Sequence, residues 1–411
     1  MDFEVRPVTA EEFPEYSRTN GAAFGHVPTD ADTEQWRTTL DLDLTLAAYD
    51  AGRMVGTAAA FAFDLTVPGG AALPVSAVTW VAVLPTDRRR GVLRAMMRRQ
   101  LDDARRHGKP IAVLTASEST IYGRFGYGIA TSMAEVEIDH AHAALRPHGS
   151  SQGRVRLIER ERALEVFPAV WDRHWRAQPG ALSRSAAWWE FVLRPAHDHD
   201  TAHAPGARFF AIYESAAGEP EGAVWYRVEQ KWELGMATSA LIVDDLIAPT
   251  LEARAALWDY LFGVDLVATV RAGHRPVDDP LRWMLVNSRR LRVLRQSDDL
   301  WLRLLDIPAA LAARRYAAAD RVVLEVTDVF LPENAGRYAL DAGEDEAVCR
   351  TTMETPDLTL DVADLGAAYL GGVSFATLAQ AGRVHERRAG ALRRADALFA
   401  TVSAPYNGTG F

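Results

Sequence analysis

This 411-residue chain has almost no cysteine, no long apolar run and no low-complexity segment. Cys349 is the single cysteine, which excludes an internal disulfide and a cysteine-based metal cluster and is typical of a reducing compartment. No stretch approaches the roughly 18 consecutive apolar residues of a membrane-spanning helix. The N-terminus carries acidic residues and no apolar core of a secretory signal. We therefore expect a cytoplasmic protein with no membrane span and no metal.

Positive charge is also in deficit. Lysine and arginine number 45 against 55 aspartates and glutamates, so the net charge is −10. This balance disfavours nucleic acid as a partner and favours the approach of cationic substrates, although solubility alone would also account for it. Apolar residues make up 48% of the chain, enough for more than one core, and the length predicts two or three domains.

One sequence pattern occurs twice, over residues 81–94 and 244–257. Each copy reads as the end of a strand, a proline-containing turn and a helix. The first copy has Arg88 where the second has Glu252, and only the first has a glycine in the turn. A basic turn at a helix N-terminus can bind phosphate, whereas an acidic one repels it. The pattern indicates a duplicated fold with one working anion site.

The elements around the first copy are predicted from their periodicity. An apolar strand over residues 75–84 leads into a helix over residues 91–107, and a short buried strand follows at Ile111–Thr115. A linker rich in glycine, serine and proline is predicted over Ala141–Gly153. The chain then divides into domains at residues 1–150, 151–290 and 291–411, and a strand over Leu300–Leu305 is assigned to the third.

The turn of the first copy is the strongest candidate binding motif. Gly91 allows close approach of a phosphate to the backbone, and the flanking arginines add charge-assisted hydrogen bonds. The turn lacks the Gly-Lys-Ser/Thr ending of a Walker loop and the Gly-x-Gly-x-x-Gly of a dinucleotide site. The residues alone leave a solvated basic turn as the alternative.

The order of this turn, the following strand and the segment Ile121–Tyr127 resembles that of the GNAT acetyltransferases. In that family an Arg/Gln-x-x-Gly-x-Gly/Ala motif binds the pyrophosphate of coenzyme A. Leu93 departs from it at the last position. The resemblance implies that two strands, residues 78–84 and 111–115, splay apart to admit the pantetheine arm. The residues that it implies for acetyl-CoA binding are Val81, Ala82, Val83, Arg88, Arg89, Arg90, Gly91, Val92, Leu93, Arg94, Ser117 and Glu118.

A more specific resemblance covers essentially the full length. Residues 88–96, 112–118 and 121–128 are similar to those of the enhanced intracellular survival branch of the GNAT family. That branch acetylates aminoglycosides at several amines. The resemblance implies an α/β fold with mixed sheets, made of two GNAT-type domains in tandem and a C-terminal sterol-carrier-like domain. It also implies a homo-hexamer.

Acetyl transfer to an amine needs a base for the ammonium and an acid for the departing thiolate. The resemblance assigns the acid to Tyr122, although a buried tyrosine with a satisfied hydroxyl is the alternative from the residues alone. It assigns the base to the C-terminal carboxylate, here that of Phe411. A frayed C-terminus is the ordinary expectation, and an α-carboxyl is a weak base unless it is desolvated.

The acceptor site implied by the resemblance involves Phe24, His26, Trp36 and Leu84. His26 and Gly410 replace acidic residues of the family, which weakens the case for aminoglycosides. The acidic residues Asp30, Asp32, Glu34, Asp41 and Asp43 offer attraction for amines or, alternatively, form a solvated helix face. Small amines, including aryl and alkyl amines, and protein lysines all stay open as acceptors. A lipid or small-molecule carrier and a coenzyme-binding regulatory protein are the alternative functions.

Overall fold

A computed structural model describes residues 3–147, 153–194, 207–343 and 346–411 of the protein. The chain divides into two compact units, one made of Met1–Thr131 with Asp298–Phe411 and the other of Ser132–Ser297. Among the described residues, no helix is both long and apolar enough to cross a membrane. The predicted linker lies partly outside the described residues, which omit positions 148–152.

The first 131 residues alternate strands and helices. The strands are β1 Glu4–Arg6, β2 Thr45–Asp50, β3 Arg53–Thr66, β4 Ala72–Val83, β5 Ile111–Thr115 and β6 Gly128–Ile129, and the helices are α1 Phe13–Phe24, α2 Asp30–Thr39, α3 Val92–Arg106 and α4 Ser119–Tyr122. Helix α2 begins where Thr29 and Asp32 form a reciprocal capping box. Helix α3 buries Met96, Met97 and Leu101 on one face, as its periodicity predicts.

The next part of the chain forms the second unit. Its strands are β7 Ser132–Asp139, β8 Arg154–Ile158, β9 Arg208–Glu214, β10 Pro220–Glu229, β11 Trp232–Glu233, β12 Met236–Ala237, β13 Ser239–Ile247, β14 Val267–Pro276 and β15 Arg292–Asp298, and its helices are α5 Arg160–Trp175, α6 Ala186–Val192, α7 Leu251–Phe262 and α8 Leu281–Met284. The short β11 and β12 form a separate hairpin.

The last part of the chain returns to the first unit. Its strands are β16 Leu300–Leu304, β17 Asp320–Thr327, β18 Gly336–Ala342, β19 Ala347–Thr351, β20 Leu358–Asp361 and β21 Val384–Glu386, and its helices are α9 Ile307–Ala313, α10 Val362–Tyr369, α11 Phe375–Gln380 and α12 Ala391–Phe399. Strands β17 to β21 form one sheet in the order β19-β18-β17-β20-β21.

The large sheet of the first unit has the order β1-β2-β3-β4-β5-β16-β6. Only β4 and β5 pair in parallel, and helix α3 connects them. Strand β16 lies between β5 and β6, antiparallel to both, and all five of its residues are buried. The strand predicted over Leu300–Leu305 thus pairs within the first sheet, where the apolar side chains of β16 are buried. The predicted division near residues 150 and 290 stays a prediction.

The large sheet of the second unit repeats this topology. Its order is β15-β7-β14-β13-β10-β9-β8, and β13 and β14 are its parallel pair, connected by α7. The strand-helix-strand segments β4-α3-β5 and β13-α7-β14 thus correspond to each other, as the repeated sequence pattern predicts.

A buried polar cluster joins the C-terminal sheet to the large sheet of the first unit. The guanidinium of Arg303 on β16 donates to the carboxylate of Asp328 at 2.6 Å, and both side chains are buried. The amide of Asn334 donates to the same carboxylate at 3.2 Å and to the carbonyl of Leu304 at 3.1 Å. Because the Asp328 carboxylate accepts from both Arg303 and Asn334 away from water, these contacts hold the C-terminal segment against β16.

Candidate active site

A cleft opens where β4 and β5 separate. The two strands pair from Val75 and Ile111 as far as Val78 and Leu114, and the described residues of β4 and β5 form no further pair beyond that point. On its other side β4 continues to pair with β3 up to Val83. The edge of β4 around residues 81–83 therefore has backbone groups available to a ligand, at the position predicted from the sequence.

A bulge in β4 coincides with this divergence. Trp80 has φ of +53°, which is uncommon for a residue with a side chain. Its carbonyl accepts hydrogen bonds from the amide of Asn20 at 3.0 Å and from the hydroxyl of Thr57 at 2.9 Å. These two buried donors stabilise the distorted backbone and bend β4 away from β5. No local signal in the sequence marks Trp80 for this conformation.

Helix α3 begins at the mouth of the cleft. Gly91 precedes it with φ of +95°, a conformation that favours glycine, and no described side chain caps its first turn. In the corresponding helix α7, the hydroxyl of Thr250 accepts from the backbone N–H of Ala253 at 3.2 Å. The first N–H groups of α3 can thus bind an anion, whereas α7 satisfies part of its own N-terminus.

The cleft has a volume of about 850 Å³ and a basic lining. The arginines that line it are Arg88, Arg89, Arg94 and Arg124. Arg90 is not among them, because its guanidinium pairs with the carboxylates of Asp87 at 2.7 Å and Asp50 at 2.8 Å. These ion pairs brace the turn, and the assignment of Arg90 to the phosphate set stays a prediction. Arg124 was missed by the sequence reasoning, which looked only at the turn before α3.

The other predicted cofactor residues lie around the same cleft. The lining includes Val81, Ala82, Val83, Gly91, Val92, Leu93, Ser117 and Glu118. Residues from β4, from the start of α3 and from the segment after β5 thus come together, although they are up to 37 positions apart in the sequence.

Charge reversal in this cleft should remove coenzyme binding. If the cleft holds acetyl-CoA, ligand at 100 times its dissociation constant stabilises the folded state by about 2.7 kcal/mol. We expect acetyl-CoA to raise the melting temperature of the wild type and to leave that of the double variant Arg89→Glu, Arg94→Glu unchanged. The matched control is Arg106→Glu at the far end of α3, which should keep the shift. A full shift in the double variant contradicts the assignment.

Tyr122 ends helix α4 and is buried. Burial, together with the nearby charge of Glu118, raises the pKa of its phenol to about 12. The hydroxyl therefore keeps its proton at neutral pH. The ring of Tyr127 packs edge-on against it at 6.2 Å between centroids, which agrees with a packing role for Tyr127.

A second, smaller cavity of about 300 Å³ adjoins the same residues. Phe24, Val81, Ser117 and Tyr122 line both cavities. The residues that line only the smaller one are Val78, Thr79, Trp80, Thr115, Ala116 and Phe411. Tyr122 therefore faces the basic cleft and the smaller cavity together.

The C-terminal tail packs into the smaller cavity. The hydroxyl of Thr115 donates to a carboxyl-terminal oxygen of Phe411 at 3.0 Å. The Phe411 ring lies edge-on to that of Phe63 at 5.8 Å. Asn407 is buried, and its side-chain amide donates to the carbonyl of Thr409 at 2.7 Å. The C-terminal tail is thus held in place by these contacts, whereas a frayed terminus is the ordinary expectation.

The predicted acceptor residues are only partly brought together. Phe24 lines both cavities. Trp36 does not line either cavity, but it packs edge-on against Trp80, which lines the smaller one, with 4.9 Å between ring centroids. His26 is exposed and lines neither cavity. Leu84 also lines neither cavity, and its backbone N–H donates to the carbonyl of Val55 at 3.0 Å.

The comparisons with known proteins agree with this architecture. Profiles of the acetyltransferase (GNAT) domain match residues 4–130 and 180–304, and a profile of the sterol carrier protein domain matches residues 307–408. They confirm the predicted α/β fold of two GNAT-type domains and a C-terminal sterol-carrier-like domain.

Full-length relatives give the same result. An uncharacterized N-acetyltransferase of Streptomyces avermitilis is 41% identical over the whole of both chains. The N-acetyltransferase Eis of Mycobacterium tuberculosis is 35% identical over 96% of each chain. The crystal structure of Eis1 from Mycobacterium abscessus superposes with a TM-score of 0.88 at 36% identity, covering 99% of this chain and all of that one.

Proposed function

The chain belongs to the Eis-like N-acetyltransferases of the GNAT family, and we propose that it transfers the acetyl group of acetyl-CoA directly to a primary amine in a ternary complex. One observation carries this proposal: Tyr122 lines the basic cleft and the smaller cavity at once. A thioester in the first and an amine in the second would meet beside its hydroxyl.

The basic cleft suits the coenzyme. Its pyrophosphate binds the free N–H groups at the start of α3 and the guanidinium groups of Arg89 and Arg94. The pantetheine arm pairs with the open edge of β4 at residues 81–83. This places the thioester near Ser117 and Tyr122, which lie at the inner end of the cleft after β5.

The reaction uses one base and one acid. The carboxylate of Phe411 takes a proton from the ammonium of the acceptor, and the neutral nitrogen attacks the thioester carbon. As the tetrahedral intermediate collapses, the C–S bond breaks, and the phenol of Tyr122 gives its proton to the thiolate. The nitrogen, which still carries one extra proton after the attack, loses that proton and so restores the phenol of Tyr122, leaving the neutral amide. Burial disfavours the free thiolate and the phenolate alike, so we expect the loss of the nitrogen proton to accompany the transfer from Tyr122.

We propose a primary amine as the acceptor. Aminoglycosides, aryl and alkyl amines and protein lysines each present a primary amine. The named relatives are enzymes, which supports the enzymatic interpretation over a lipid carrier or a regulatory coenzyme-binding protein. The single cysteine, Cys349, supports a cytoplasmic location.

A thiol-release assay tests the function. The protein should release coenzyme A from acetyl-CoA only when an amine is present, and mass spectrometry should find one acetyl group on that amine. Thiol release at the same rate without amine, or none with a broad amine panel while acetyl-CoA is bound, would refute the transferase.

We further propose that the chain assembles as a homo-hexamer. An exposed apolar hairpin of the second unit supports assembly, since Trp232, Leu234 and Met236 all project into solvent. We expect the double variant Trp232→Asp, Leu234→Asp to sediment as a smaller species than the wild type. The control Val402→Asp changes an exposed apolar residue elsewhere and should leave the assembly intact. A wild type that sediments as a monomer would contradict the hexamer. A double variant that sediments at the wild-type size would show that the hairpin makes no essential contact between subunits.

A further inference from the structure

We propose that Phe330, from the C-terminal segment, positions the guanidinium of Arg94 for the phosphates of the coenzyme. Phe330 is thus a positioning residue, because it acts through Arg94 and does not itself line the basic cleft. The inference rests on the proposed function, since it concerns how the same cleft holds acetyl-CoA.

Arg94 is a cleft residue whose side chain is steadied by an aromatic ring. It lies in the first turn of α3, lines the basic cleft and is exposed. An exposed arginine loses conformational entropy when a ligand orders its side chain. The guanidinium of Arg94 lies over the ring of Phe330, 5.1 Å from the ring centroid. Because the ring attracts the cation, it orders the guanidinium before a phosphate arrives and so lowers that entropic cost.

The same ring supports a second part of the cleft wall. Phe330 packs edge-on against Phe125, with 4.9 Å between the ring centroids. Phe125 lines the cleft, and so does its neighbour Arg124. Phe330 therefore contacts lining residues from the start of α3 and from the segment that follows α4.

The loop that carries Phe330, residues 328–334 between β17 and β18, restrains the ring. One oxygen of the Asp328 carboxylate accepts from the backbone N–H groups of Phe330 at 3.2 Å and of Leu331 at 2.9 Å. The other oxygen accepts from the buried guanidinium of Arg303 at 2.6 Å. Asp328, Phe330 and Leu331 are all buried. These hydrogen bonds restrict the backbone on which the ring is mounted.

The loop also contacts α3 directly. The guanidinium of Arg98 donates to the carbonyl of Phe330 at 3.3 Å and pairs with Glu333 at 2.9 Å. Arg105 pairs with the same carboxylate at 2.8 Å. Arg98 lies one helical turn after Arg94, on the same face of α3. These contacts therefore align the loop with the face of the helix that carries Arg94.

These contacts give the C-terminal part of the chain a second role. Phe330 belongs to the sterol-carrier-like domain, which also carries the C-terminal tail to the smaller cavity. The inference adds that this domain helps to set the affinity of the cleft for coenzyme A.

Titration calorimetry with coenzyme A tests the inference. Phe330→Leu removes the aromatic face and keeps an apolar side chain at the buried position. We expect the dissociation constant for coenzyme A to rise about 3- to 30-fold, the range that a cation–π contact gives, while kcat at saturating acetyl-CoA stays near its wild-type value. Val329→Ala changes the exposed neighbour and should leave the dissociation constant unchanged. Phe330→Met, whose flexible side chain fills a similar volume, replaces Phe330→Leu if that variant does not fold.

A cycle of variants with Arg94→Met distinguishes positioning from general packing. In the Arg94→Met background, where no guanidinium is present to be positioned, Phe330→Leu should weaken the binding of coenzyme A less than twofold. The second probe is S-acetylpantetheine, which lacks the pyrophosphate and the adenosine. Its KM in the thiol-release assay should be the same in the wild type and in Phe330→Leu.

The outcomes separate this inference from the proposed function. An unchanged dissociation constant in Phe330→Leu, or an equal loss with and without Arg94, overturns the inference even if thiol release continues. An equal rise in the KM for S-acetylpantetheine also overturns it, because loosened packing would then explain the effect. A wild type that binds no coenzyme A removes the cofactor assignment and the inference together. Conversely, the expected cycle with no thiol release from any amine upholds the role of Phe330 and refutes the transferase.

Discussion

A chain extended beyond Phe411 by a short Gly-Ser segment should bind acetyl-CoA normally and acetylate amines about 10²- to 10⁴-fold more slowly, the range expected for loss of a general base. The extension converts the terminal carboxylate into a neutral amide. It leaves the Phe411 ring free to pack on Phe63. The measurement is kcat from thiol release, with intact mass spectrometry to verify the C-terminus of each protein.

Two further variants distinguish the contribution of the terminal carboxylate to kcat from that of the groups around it. Phe411→Leu keeps a terminal carboxylate and should retain most of the activity. Thr115→Val removes the hydroxyl that donates to the Phe411 oxygen, and we expect an intermediate loss, since the carboxylate is then held less firmly. Unreduced kcat in the extended chain would show that another group, such as a water relay, takes the proton.

Tyr122→Phe should lower kcat by about 10²- to 10⁴-fold, while the acetyl-CoA-dependent rise in melting temperature stays at its wild-type value. The substitution removes only the hydroxyl, so the packing against Tyr127 is kept. Tyr127→Phe is the matched control. Its hydroxyl is buried with no hydrogen-bond partner among the described residues, and its loss should leave kcat nearly unchanged. Equal effects of the two variants would contradict a role for Tyr122 in proton transfer.

The pH profile carries an independent test of Tyr122. An acid acts in its protonated form, which is present below its pKa. Because the pKa of Tyr122 is raised to about 12, the phenol stays protonated through pH 10. We expect kcat to rise as the amine and its base lose protons and then to hold a plateau to pH 10. A fall in kcat with a midpoint near 10, the usual pKa of tyrosine, would contradict an acid whose pKa is raised by burial.

Patterns that are local in the chain were sufficient to predict much of the fold and the position of the basic turn. The β4-α3-β5 unit, its repeat around α7 and the anion turn follow from periodicity and from Gly91. In these segments the predicted structure depends on residues within a few positions of each other. That is why the basic turn could be predicted from the residues alone, whereas the open edge of β4 and the role of Tyr122 were predicted from the resemblance to the GNAT acetyltransferases.

Contacts between distant residues decided the rest. Strand β16 completes the first sheet because its side chains find burial beside β5, 180 and more positions earlier. Arg90 pairs with Asp50 and Asp87, which lie 40 and 3 positions away, and His26 is exposed and lines neither cavity. The tail contacts Thr115, 296 positions earlier, and the C-terminal segment that carries the tail is held against β16 by the contact of Arg303 with Asp328. Charge pairing, burial and strand order are properties of the whole chain, so no local pattern could have specified them.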